Sequence, residues 1–409
     1  MASPQAPETA PAVAPDPSRA LVIGDDIGIF LAIARSLGRA GIRVDVATCG
    51  EDYPGLQSRY VDQVRVLPSY LNAPQDWIAT LSELVAREGY KLVFPASDSA
   101  LDLLAEASGT IARDRLAIAN DAALAAFQSK AATRALAEAS QVPVARGEMA
   151  IAGQAVADRW RECPFPIVIK PSAPFRTGDT EAKGVVRLSH SYAELSSTLT
   201  DLKGREVVIE EFFNGEGVGL SVLARNGAVE MAWQHRRLAQ TSTTGRSSQR
   251  VGEPPDPRLL ADAERLARAV QLHGVAMFEF RQNHETGAHV LLEVNPRYWG
   301  SLPLALAAGA DFPRRHWNML TGADGGSAEP NPALHLPLSK TSLTGEYDRI
   351  SQIEGALRSG AALARLMLAA ILAPESFDSW TTDDPAPHQT ELRQLAQRTR
   401  TAVTRRLSR

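Results

Sequence analysis

The segment Met277 to Arg297, MFEFRQNHETGAHVLLEVNPR, constrains this chain more than any other. Two strand-like runs flank a turn centred near Thr286-Gly287, which is the pattern of a β-hairpin. Glu279 and Glu293 are equally distant from Thr286, so antiparallel pairing sets them opposite each other, and strand period two puts Asn295 on the face of Glu293. Two facing carboxylates in otherwise apolar strands repel unless a cation or a shared proton compensates them. Hard oxygen ligands in this number suit Mg²⁺ bridging nucleotide phosphates. A solvated hairpin face is the competing reading; Phe278, Phe280, Leu292 and Val294 weaken it by marking the opposite face as core. Arg297 follows within reach of the same phosphates.

The rest of the chain gives this hairpin a setting. The apolar run Ala20 to Gly24, the helically spaced Ile29 to Ala40 and the second run Ile42 to Ala47 read as strand, helix, strand. Leu92 to Pro95 and Leu116 to Ala119 continue the alternation, so residues 20–120 read as an open, mostly parallel α/β domain with an architectural role. The GDDIG turn lacks the three-glycine dinucleotide fingerprint, and Asp25 and Asp26 would repel a pyrophosphate, which argues against a nicotinamide dehydrogenase. Asp121 is the expected N-cap of one helix, Ala122 to Ser140, stopped by Val142-Pro143. Strand-like runs follow at Pro166 to Lys170, Val207 to Phe213, Gly219 to Ala224 and Ala228 to Trp233, then a helix, Asp262 to Leu272, and the hairpin. From about Pro330 a Pro-rich linker leads to an Ala- and Leu-rich helical region and a basic tail.

With the motif EVNPR in place, the sequence resembles the ATP-grasp superfamily from about Ala20 to Gly322, in which a strand glutamate and a Glu-x-Asn pair hold catalytic magnesium. The resemblance implies Glu279, Glu293 and Asn295 as metal ligands, for two Mg²⁺ ions with Mn²⁺ as an alternative, and Arg297 as the stabiliser of charge on the transferring phosphate. It makes Lys130 and Lys170, at the family's spacing, the phosphate-contacting lysines; taken alone, Lys170 at the end of an apolar strand reads more readily as a snorkelling surface lysine. In IEEFFNGE it points to backbone around Glu210, Glu211, Phe212 and Phe213 for the adenine edge and to Glu216 for the ribose, with Glu211 as the alternative. The polar segment Ser172 to Gly184, with Arg176 and Lys183, stands where the family carries a loop closing over the phosphates. QHRRLAQTSTTGRSSQR is too polar for core; His235, Arg236, Arg237 and Arg246 are its candidates for an anionic substrate or the γ-phosphate.

The expected fold class is therefore α/β: a lead over residues 1–19, the N-terminal α/β domain at 20–120, a two-lobed ATP-grasp α+β unit at 121–325, and a helical C-terminal appendage at 326–409. The expected activity is that of an ATP-dependent ligase, activating a small-molecule carboxylate as an acyl phosphate for attack by an amine. An ATP-dependent carboxylase using bicarbonate is the rival, although no carrier-lysine motif is visible, and an idle ATP-binding scaffold is a second. Composition narrows the partners. A formal charge of -4 gives no broad attraction to nucleic acid, and the two distant cysteines, Cys49 and Cys163, fit neither a disulfide framework nor a cysteine zinc site. No run reaches a membrane span, since Gly355 to Leu372 contains Arg358 and Arg365, so a cytoplasmic enzyme is expected. The apolar run Gly355 to Pro374 must be covered, by its own domain or a homodimer partner, with peripheral membrane contact beside the arginine-rich tail as the alternative.

Overall fold

The computed structural model describes residues 16–24, 26–50, 53–172, 186–240, 247–327, 333–336, 338–353 and 356–407. Three sheets organise them. The N-terminal sheet is parallel, in the order β3-β2-β1-β4: β1 (Asp16–Ile23), β2 (Arg43–Thr48), β3 (Val64–Val66) and β4 (Tyr90–Pro95). Its crossovers are α1 (Ile27–Arg39), capped by Asp26, and α2 (Pro74–Glu88), which opens on Pro74 and stops at Gly89 with φ 66°. α3 (Asp98–Glu106) follows β4, with Ser97 accepting from the Ala100 N–H. β1 begins four residues before the expected start at Ala20.

The expected single helix of residues 122–140 is two, α4 (Asp121–Phe127) and α5 (Lys130–Ala139), because Ser129 turns the chain and caps the second. An antiparallel small lobe comes next, ordered β5-β8-β6-β7, from β5 (Gly147–Ile151), β6 (Ile167–Pro171), β7 (Arg187–Ser189) and β8 (Glu206–Glu211). α6 (Gln154–Arg159) and α7 (Tyr192–Asp201) pack on it through Val156, Leu195, Leu199, Ile167 and Ile209.

The large sheet has six strands in the order β13-β12-β9-β10-β11-β14: β9 (Glu216–Arg225), β10 (Ala228–Gln240), β11 (Ser247–Glu253), β12 (Gly274–Gln282), β13 (His289–Asn295) and β14 (Leu338–Thr341). α8 (Pro257–Ala269) precedes β12, while α9 (Leu302–Ala307) and α10 (Phe312–Thr321) follow β13. One face of the sheet, with Val218, Leu220, Val222, Phe278 and Phe280, shares a core with α8 and with Leu21, Ile23 and Val93 of the N-terminal sheet. On the other face Leu223, Met231, Trp233, Val275 and Met277 pack against α9, α10 and α1. Further along those same strands this second face turns polar, and the candidate site lies there.

The C-terminal region is helical, as expected: α11 (Leu343–Ser351), α12 (Ala356–Leu372) and α13 (Ala386–Leu407). It is also joined to the large sheet, since β14 pairs with β11 and the Asp378 N–H donates to the Thr341 carbonyl. Leu366 and Ala370 of α12 pack with Tyr347, Phe377 and Leu395, while Leu368, Ile371 and Leu372 face outward. Among the described residues no helix is long and apolar enough to cross a membrane.

Candidate active site

Strand pairing sets the centre of the site. Glu279 stands opposite Glu293, and Asn295 opposite Met277, in the β12–β13 hairpin, whose turn places Gly287 at φ 72°. A bulge falls between Glu279 and Phe280, so Phe280 pairs with Leu291. One expectation changes with it: Leu291 is core, and Leu292, expected there, lines a cleft on the site face.

Cations surround the two carboxylates. Arg237 reaches Glu279 at 2.6 Å and Lys130 reaches Glu293 at 3.2 Å. Burial pushes the Glu279 carboxyl up, Arg237 pulls it back, and the charge of Glu293 opposite leaves the net shift upward. Burial acts on Glu293 too, but Lys130 and Lys170 outweigh it and hold that carboxyl below its usual range. Two facing carboxylates and the amide oxygen of Asn295 on the same strand face are hard oxygen donors of the kind a divalent cation takes, so these residues fit a magnesium site.

Small residues on β9 make room for the side chains that meet here. Gly219 lies between His235 on β10 and Glu279 on β12, and a Cβ there would stand 2.2 Å from His235 Cε1. Gly217 pairs with Arg281, and a Cβ at that position would press on Arg237 Cδ at 2.9 Å. His235 is buried, stacked on Trp233 and 3.2 Å from the Ser301 hydroxyl. Burial, then Arg237 and Arg250, depress its pKa far below the usual histidine value, so it is neutral.

The basic segment belongs to the large sheet: β10, expected to end at Trp233, continues through it to Gln240, and β11 begins at Ser247. Strand alternation then separates its residues. His235 and Arg237 line the cavity; Arg236 turns away to Glu253 at 2.6 Å and Glu216 at 3.0 Å. Arg250, missed in the sequence, is buried on β11, with bonds to the Gly300 carbonyl at 2.9 Å and to Asp378. Arg246 lies outside the described residues, as do Arg176 and Lys183.

Lys170 is buried at the end of β6, 2.5 Å from Glu210, which also takes Arg134 at 2.9 Å. Glu210 therefore fixes cations with its side chain. The Glu211 and Phe212 N–H groups are occupied by the Arg146 and Pro166 carbonyls, and Phe212 lies beneath the Arg281 guanidinium at 4.5 Å. Glu216 is half exposed, tied to Arg236 and His284. The position lining the cleft there is Gly217, together with Glu211.

Two spaces meet at this centre. A narrow cleft of about 110 Å³ is lined by Val168, Lys170, Leu188, Glu210 to Phe213 and Leu292. A wider cavity of about 750 Å³ extends the other way, and Arg237, Glu279 and Glu293 border both. The N-terminal domain is more than architecture: Asp26 to Ile29, Ser97 and Asp98 line the wider cavity, and Asp98 binds Arg297 through two contacts, one of 2.7 Å. Ser342 to Gly345, Asp348, Asp378 and Glu391 line it from the C-terminal region.

The family described as ATP-grasp in the biosynthetic pathway with Ter operon matches residues 203–342, from just before β8 to the end of β14. An L-amino acid ligase from Bacillus licheniformis superposes with a TM-score of 0.59 at 16% identity, covering 76% of this chain and 77% of its own. The chain has the ATP-grasp fold. Its solved ATP-grasp neighbours include an N5-carboxyaminoimidazole synthetase from Staphylococcus aureus complexed with ADP (TM-score 0.59, 15% identity, 82% and 84% covered). Another is the biotin carboxylase domain dimer of the Hydrogenobacter thermophilus 2-oxoglutarate carboxylase, with MgADP and bicarbonate (TM-score 0.61, 14% identity, 79% and 73% covered). No curated protein matches the sequence. Ligases and carboxylases thus share the ATP-grasp fold seen here.

Proposed function

We propose that the protein is an ATP-dependent carboxylate-amine ligase, which forms an acyl phosphate and releases ADP and phosphate. The observation that carries this reading is the shared border: the Glu279–Glu293 pair stands between a narrow cleft with room for the base of a nucleotide and a cavity large enough for phosphates and further substrates.

In this reading adenine lies between Val168, Leu188 and Leu292, where the Phe213 N–H is the hinge donor without a partner among the described residues. Glu211 takes the ribose in place of Glu216, because it lines the cleft and Glu216 does not. Lys130, Lys170 and Arg237 neutralise phosphate oxygens, with Glu210 keeping Lys170 in position. Glu279, Glu293 and Asn295 would hold Mg²⁺, whose charge would offset that of the nucleotide oxygens. Arg297, steadied by Asp98, meets the charge that develops as a carboxylate oxygen attacks the γ-phosphorus in line and ADP leaves. The amine then attacks the acyl carbon and phosphate departs. Neutral His235 accepts or donates a hydrogen bond without adding charge.

Bicarbonate as the carboxylate is the second reading, favoured by the likeness to a carboxylase domain. A cavity of about 750 Å³ favours a larger acid. The test is Glu293→Gln with the carboxylate and amine that release most ADP from the wild type in a substrate panel. ADP release should fall at least about a hundredfold with the melting temperature preserved. Wild-type turnover by the folded variant would remove the reading, and ADP release dependent on bicarbonate alone would move it to the carboxylase class.

A further inference from the structure

The wider cavity has a wall that the phosphate chemistry does not use. It comes from the C-terminal region, held in place by buried polar bonds: Arg35 of α1 pairs with Asp384 at 2.8 Å, and Ser58 Oγ donates to the same carboxylate at 2.6 Å. Lys340 donates to the Glu375 and Phe377 carbonyls at 2.9 and 3.0 Å. The N-terminal turn of α11 and the side of α13 facing it are thereby part of the cavity.

Among the described residues, seven carboxylates and three arginines line the cavity. Most of the seven are matched. Arg237 meets Glu279, Lys130 meets Glu293, Arg297 meets Asp98, Arg250 meets Asp378, and Arg398 meets Asp348 on the open side. Glu391 is different. It is 7% exposed, and its Oε1 accepts from the Thr344 N–H at 3.1 Å and the Thr344 hydroxyl at 2.6 Å. Among the described residues no lysine, arginine or histidine forms an ion pair with it. A carboxylate withdrawn from water without a counter-charge is costly, and this one borders a cavity wide enough to admit one.

We infer that Glu391, assisted by the more exposed Asp348, binds a cationic group, ammonium or guanidinium, of the acceptor substrate, so that the C-terminal wall selects amines carrying a second positive charge. This rests on the ligase reading for the word acceptor; the cation site itself rests on Glu391, Thr344 and the cavity. Arginines border the cavity on its phosphate side, at Arg237 and Arg297, so a substrate held by its cation at Glu391 and an acid held by those arginines would not compete for one wall.

The probes are 1,4-diaminobutane and 4-aminobutan-1-ol, similar in length and different by one charge, titrated calorimetrically into the full chain. Wild type should bind the diamine about tenfold or more tightly than the amino alcohol, the size of a charge-assisted hydrogen bond. Glu391→Gln retains an acceptor for Thr344 and should abolish that preference while melting as wild type does. Asp348→Asn, at an exposed position, should lower diamine affinity about threefold. It decides the matter together with the wild-type comparison if Glu391→Gln does not melt cooperatively. Equal binding of both probes by wild type, or a preference that survives Glu391→Gln, would overturn the cation site. MgATP titrated in parallel separates the two claims: loss of MgATP binding with the diamine preference intact removes the ligase reading and leaves the site.

Discussion

Gly219→Ala is the sharpest single perturbation of this site, because the added atom meets a ring held by its stacking on Trp233 and its bond to Ser301. Its Cβ would lie 2.2 Å from His235 Cε1, where ordinary contact begins at 3.4 Å, so the ring must retreat by more than 1 Å. Trp233 is fully buried behind that ring, with centroids 5.4 Å apart, and retreat also breaks the 3.2 Å bond to Ser301. Overpacking of a stiff site costs about 1–3 kcal/mol, and the lost hydrogen bond about 1 more, giving roughly 2–4 kcal/mol in urea denaturation. Gly217→Ala is the internal comparison: its Cβ meets only the Arg237 stem, at 2.9 Å, which can swing, so it should cost under about 1 kcal/mol. The double variant Gly219→Ala/His235→Ala removes the clash and should be at least about 1 kcal/mol more stable than additivity predicts. A Gly219→Ala protein as stable as wild type, or strictly additive behaviour of the pair, would refute the claim that β9 is glycine-rich to seat His235.

Other expectations follow from the same geometry. Lys170→Ala should weaken MgATP binding by about tenfold or more in calorimetric titration, and an unchanged affinity would remove Lys170 from the phosphate site. Asp102 has a folded pKa raised from 3.8 to about 6, chiefly by burial and then by Asp98. Folding therefore favours its protonated form: the stability it contributes is complete below pH 3.8 and disappears as pH rises through about 6. Asp102→Asn, which keeps an acceptor for Gln128, should thus gain about 2 kcal/mol at pH 7 after allowance for partial exposure, and little at pH 4, in parallel urea melts. Equal gains at both pH values would contradict the assignment.

Much of the site was legible because the hairpin carries its own ruler. Equal spacing about Thr286 paired Glu279 with Glu293, and strand period placed Asn295 beside them. The same counting misplaced Leu292, since a bulge is a local geometric choice with no fixed signature, and Leu291 took the core position instead. Arg236 and Arg237 could not be told apart until β10 was known to run through them; once it was, period two sent one to Glu253 and the other to Glu279. Gly217 and Gly219, two apart in GEGVG, were a readable sign that a strand there passes under large side chains. Asp98, Arg250, Thr344 and Glu391 carried no such sign, because only tertiary packing brings them to one cavity. The parallel pairing of β1 with β2 and β4 followed from alternating strands and helices, whereas the three-residue β3 was not read, the strand expected at Leu116 to Ala119 is a single bridge from Leu116 to Val93, and β14 was hidden by its length of four residues beyond a Pro-rich stretch.

The central claim is that a carboxylate oxygen attacks phosphorus, and the oxygen itself can be followed. The carboxylate that supports ADP release is labelled with heavy oxygen, turned over with MgATP and its amine, and the products are weighed by mass spectrometry. Acyl phosphate formation transfers one labelled oxygen to inorganic phosphate, leaving ADP unlabelled. Label in AMP, or phosphate without label, would contradict the account.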